Sequence, residues 1–107
     1  KAPVGVQRLS IKSEPTQALL RGGQVQATPL AAWQAGRSVY LTLVALENTG
    51  ADDLILDPRD LRGAWLTATF QHARLFPAGH SAARTSAYLI SSRPFAEAIK
   101  GREHHGL

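Results

Sequence analysis

The stretch VYLTLVALEN, Val39 to Asn48, decides the fold. From Val39 to Leu46 it is β-branched, aromatic and aliphatic, with Thr42 as its one polar break. Such residues suit a pleated, half-buried surface. Both faces read as apolar, which predicts a central strand covered on both sides. It is also the longest apolar run in the chain and falls far short of the roughly 18 residues that span a bilayer. The chain is therefore expected to be soluble.

Turn chemistry follows directly. Asn48-Thr49-Gly50 offers a residue free to take positive φ at Gly50. Leu54-Ile55-Leu56 then reads as a short second strand, antiparallel to the first. Pro58 cannot donate to a ladder and stops it. From Ala64 to Phe70 the chain alternates: Ala64, Leu66, Ala68 and Phe70 on one side, Trp65, Thr67 and Thr69 on the other. That pattern predicts another strand. Phe76-Pro77-Ala78-Gly79 marks a turn, and Thr85 to Ile90 reads as the next strand.

Upstream, Val4 to Lys12 alternates with a phase shift, as in a strand with a local irregularity. The following stretch is rich in Gly, Pro, Ser and Gln. It predicts loops, a short strand near Gln24–Ala27 and one helical turn. Downstream, Phe95, Ala98 and Ile99 have helical spacing, Pro94 suits the helix start and Gly101 its end. The tail at 101–107 is expected to be disordered.

Together these runs predict a single all-β domain over residues 1–107, an antiparallel β-sandwich or barrel-like fold with a short C-terminal helix. A chain of 107 residues can bury one core without disulfides or metal. It has no cysteine, hence no disulfide, thiolate site or cysteine nucleophile. It starts at Lys1 and contains no Met, which reads as an excised segment or a mature product. The formal net charge is +4, with the arginines dispersed from Arg8 to Arg102. Dispersed arginines suit a solvated surface better than a nucleic-acid stripe, although an acidic partner fits the sign.

Four of the eight acidic residues lie at Asp52, Asp53, Asp57 and Asp60. Their spacing lacks the alternate ligands, central Gly and final Glu of a calcium loop. In a strand, Asp53 and Asp57 would share a face about 13 Å apart, too far for one metal. Asp57-Pro58-Arg59-Asp60 reads instead as a turn, with Arg59 and Arg62 neutralising nearby carboxylates. The histidines, His72, His80, His104 and His105, show no metal-ligand spacing. The serines form no G-x-S-x-G elbow, and Gly22-Gly23 no phosphate loop. No catalytic set, metal site or cofactor site is expected. Trp65 reads as a core anchor or an interface aromatic, and Trp33 as a loop anchor or a partner contact.

The segments LENTG, LILDPRDLRGAWLTATF and ARLFPAG, then a strand with Tyr88 and the tripeptide RPF, form an ordered pattern over residues 39–95. Its marks are Asn48 and Gly50, Leu54 and Leu56, Leu75 and Pro77, and Tyr88. This pattern resembles TraK-like proteins of integrating conjugative elements, secretin-like outer-membrane-core components of type IV secretion systems. The helical-looking tail and the short N-terminal stretch depart from it. The resemblance implies a C-terminal β-sandwich of a periplasmic scaffold associated with the outer membrane. It implies two partners, an outer-membrane lipoprotein and an inner-membrane-anchored channel subunit, a ring in the assembled machine, and no enzyme activity.

On that reading the domain works by surface complementarity, through an edge strand open to β-augmentation. The candidate contact residues are the aromatics Trp33, Tyr40, Trp65 and Tyr88, with Arg59 and Asp60 at the corner between strands. The isolated domain is expected to be a monomer. Rival readings are a nucleic-acid-binding module, or a small-ligand or carbohydrate-binding β-domain with Trp33 or Trp65 as a stacking platform.

Overall fold

A computed structural model describes residues 5–101. It is all-β and antiparallel, with one short helix near the C-terminus. The strands are β1 (Val6–Leu9), β2 (Val25–Ala35), β3 (Val39–Asn48), β4 (Leu54–Ile55), β5 (Thr67–Phe70), β6 (Arg74–Leu75) and β7 (Arg84–Ser91), and the helix is α1 (Phe95–Ala98). Five strands form one sheet in the order β1-β2-β3-β7-β5, and β4 pairs with β6. Val4 and the tail beyond Gly101, including His104 and His105, lie outside the described residues.

The β3 strand is central, as its composition predicts, between β2 and β7. Alternation sends Tyr40, Thr42, Val44, Leu46 and Asn48 to one face. There Val44 and Leu46 join Val25 and Ala27 of β2 and Ala87 and Leu89 of β7. Leu19, Leu20, Leu56, Leu61 and Leu75 pack on them from the second layer. Each fully buried leucine contributes about 1.5–3 kcal/mol relative to exposure. The second layer consists of the β4–β6 pair, the 19–20 loop, the 3₁₀ turn Pro58–Asp60 and α1. Leu20 and Leu61 close it through an isolated bridge.

Four expectations change. The β2 strand runs eleven residues, through the stretch that composition reads as loop and helical turn. Pro29 does not stop it, for a geometric reason. Thr49 donates to the Gln24 carbonyl at the far end of the β2–β3 ladder, so Gln26 and Thr28 turn their N–H groups toward β3 and Pro29 turns away from it. The β1 strand reaches only to Ala32, so no ladder needs a donor at Pro29. A bulge between Pro29 and Ala31 then resets the alternation.

The Leu54–Leu56 run pairs with Arg74–Leu75, not with β3. The strand predicted from Ala64 begins only at Thr67, because Gly63 and Ala64 turn to meet α1. Ala64 donates its N–H to the Ala98 carbonyl over 2.8 Å. Gly63 has φ of +115°, and a Cβ there would lie 2.6 Å from that same carbonyl oxygen.

The last change concerns cover. The outward face of β3, with Leu41, Leu43 and Ala45, is only half-buried. No second layer of described residues lies over it, and the Cα envelope is only 21 Å deep along its short axis. Packed β-layers stand about 10 Å apart, so this depth accommodates two layers.

Candidate interaction surface

Register assembles the outer face across all five strands. Leu41 of β3 pairs with Trp33 of β2 on one side and Ile90 of β7 on the other. Leu43 pairs with Tyr88, and Tyr88 in turn with Thr69 of β5. Arg8 of β1 pairs with Trp33. Paired residues of antiparallel strands share a face, so Trp33, Leu41, Leu43, Tyr88 and Ile90 form one apolar stripe, with Arg8 at one end and Thr69 at the other. Val39 and Tyr88 are each 43% exposed, and Leu30, at the bulge, is 46% exposed. Further along the same face the stripe ends in charge, where Arg84 meets Glu47 at 3.4 Å. A contiguous apolar patch with a polar border is the anatomy of a recognition surface.

Among the described residues, both edges of the sheet lack a neighbouring strand. At β5, Gln71 donates its N–H to the Ser86 carbonyl. Alternation then turns Thr67 and Thr69 toward β7, and the main-chain groups of Ala68 and Phe70 away from the sheet. The segment Thr67–Phe70 carries no charge and no proline, the usual guards of an exposed edge. Leu66, just before it, is 61% exposed. The β1 edge differs, because Arg8 sits in it.

The sequence-derived candidates separate in space. Trp33 and Tyr88 both lie on the outer face, two strands apart. Tyr40 lies on the inner face, because Gln34, not Trp33, is its partner in the β2–β3 register. Trp65 is an internal anchor: its ring tilts against Phe95 at 5.7 Å, and its indole Nε1 donates to the Arg62 carbonyl. Arg59 and Asp60 form the predicted corner as a 3₁₀ turn in the second layer, exposed to solvent. Asp57 caps that turn by accepting the Arg59 N–H. The Arg59 guanidinium also holds both Asp57 oxygens, which pulls that carboxyl down to about 2.

The aspartates do not converge. Asp53 pairs with Arg74 and Asp57 with Arg59, and no metal-ligating group of three is found among the described residues. Arg84 and Arg93 pair with Glu47 and Glu97. Leu41, Leu43 and Ile90 escaped sequence reasoning as surface residues, since apolarity in a central strand reads as core.

The fold and this surface define a two-layered all-β domain with one sheet face left open. The chain belongs to the family described as a protein of unknown function, DUF3438, whose model matches residues 1–105. A search of curated proteins found no match.

Proposed function

We propose that the domain is a non-enzymatic docking module of a conjugative type IV secretion outer-membrane core complex, in the periplasm at the outer membrane. The observation that carries the docking part is the open apolar stripe of Trp33, Leu41, Leu43, Tyr88 and Ile90. Burying such a face in water is favourable in proportion to its area, and aromatics concentrate that energy. The uncharged β5 edge adds main-chain donors and acceptors to which a partner strand can pair. The secretion setting comes from the resemblance to TraK-like proteins, which implies an outer-membrane lipoprotein and an inner-membrane-anchored channel subunit as partners.

The test is co-purification of the full chain with products of neighbouring genes that encode a lipoprotein and a channel subunit. Co-purification that Leu43→Asp abolishes, with the circular-dichroism spectrum unchanged, is expected. Capture of neither product, or capture unaffected by Leu43→Asp and by disruption of β5 with Thr69→Pro, would overturn the proposal.

A further inference from the structure

The second layer does not cover the whole inner face. Its leucines pack over Val44, Leu46, Ala87 and Leu89. Toward Tyr40 the cover ends, and a groove of about 550 Å³ remains. Small residues make its floor: Pro29, Ala32 and Thr42. Leu9 and Ile11 stand on one wall, in the segment that leaves β1. Phe95 and Ile99 stand on the other, in and just after α1. The volume is that of a ligand site, and apolar walls with few polar groups are the usual lining.

Beneath the floor of this groove Thr42 carries an unmet hydrogen bond. Among the described residues, the buried polar side chains are Thr42, Asn48, Thr85 and Ser91. Asn48 makes three hydrogen bonds, Thr85 accepts from the His72 N–H, and Ser91 donates to the Arg93 carbonyl. Thr42 is fully buried, and its Oγ1 has no partner. Buried hydroxyls are normally bonded, because leaving one unpaired costs its desolvation.

The wall beside it leaves its main chain open to solvent. Leu9 still pairs with Ala32, and Thr16 exchanges two hydrogen bonds with Ala27. Between them, Ser10–Pro15 makes no backbone hydrogen bond to another described residue. The mouth is cationic on both sides, with Lys12 on one wall and Lys100 on the other, against Glu14 as the one carboxylate in the lining.

We infer that this groove binds an extended peptide segment of a partner polypeptide. The segment pairs its main chain with Ser10–Glu14 and seats apolar side chains between Ile11 and Phe95. It turns a carboxylate toward Lys12 and Lys100. A small amphiphile would fill the cleft and meet the lysines but would leave the main-chain run unpaired. A polypeptide satisfies both. The inference rests on the docking-module reading but uses the opposite side of the sheet, so the two fail separately.

The probe is a panel of fluorescein-labelled synthetic hexapeptides with alternating valines, ending in either Asp or Lys. Binding is followed by fluorescence anisotropy and by amide chemical shifts of the full chain. Saturable binding of the Asp-ended peptides is expected, with shifts at Thr42 and Ser10–Glu14. Lys100→Glu should weaken it at least five-fold. Thr42→Val should raise the melting temperature of the free protein and leave affinity unchanged. Trp33→Ala, on the other face, should change neither. The inference is overturned if no peptide binds saturably, or if Lys100→Glu leaves affinity intact. It is equally overturned if laurate shifts those amides and no peptide does, or if they shift with protein concentration alone, as for a second copy.

Discussion

The Arg8 guanidinium lies over the Trp33 ring, 5.4 Å from its centroid, across the β1–β2 pair. This contact holds the ring of an outer-face tryptophan under a charge. Cation–π contacts at exposed sites contribute about 0.5–1 kcal/mol. Arg8→Ala should therefore cost about that much in urea unfolding and change the tryptophan emission of the folded state. An unchanged spectrum would show that Arg8 does not sit on Trp33 in solution.

Gly63 and Gly79 both have positive φ, but only Gly63 is crowded. Alanine at Gly79 meets open space, so the backbone alone resists it. Alanine at Gly63 also drives its Cβ onto the Ala98 carbonyl, with Trp65 Nε1 at 2.9 Å. Gly63→Ala should cost about 1–3 kcal/mol, and clearly more than Gly79→Ala. Equal losses by thermal unfolding would mean that the corner and α1 are not in contact.

Asn48 ends β3 at the start of the turn and ties two loops to it. Its Nδ2 donates to the carbonyls of Asp52 and Phe76, and its Oδ1 accepts the Gly50 N–H. Asn48→Ala removes all three partners at a fully buried position. A loss of about 3 kcal/mol is expected, from unsatisfied buried groups. Faster amide exchange at Gly50 should accompany it, and its absence would refute the assignment.

Asp57 titrates at about 2 because its hydrogen bonds with Arg59, through side chain and then backbone, favour the carboxylate. A folded value below the unfolded one means the stabilisation is complete above the ordinary carboxylate range and is lost as pH falls through about 2. Carbon-detected titration should place the midpoint there. Arg59→Gln should return it toward the ordinary value, and a midpoint already ordinary in the parent chain would exclude the pairing.

The legible parts of the fold were those where local chemistry and tertiary context agree. VYLTLVALEN, the Arg84–Ser91 strand and the Asp-Pro-Arg-Asp corner needed nothing beyond their own residues. Most of β2 was hidden by Pro29, because only the length of β1 shows that no donor is wanted there. The partner of Leu54–Ile55 is a strand of two residues, too short for any period to reveal. The candidate surface was half legible. Trp33 and Tyr88 stand out by type, but Leu41, Leu43 and Ile90 look like core in sequence. Only the thinness of the molecule distinguishes them. Tyr40 lies one residue from Leu41, and that single step of register puts it on the opposite side.

The two edges of the sheet are unlike, one carrying Arg8 and the other uncharged. Pairing like with like would stop at a twofold dimer, since both receptive edges would be consumed at once. Pairing β5 of one copy with β1 of the next would leave an unlike edge free at each end. Such a contact is polar and self-propagating, and its rotation per copy decides between a closed ring and an open filament.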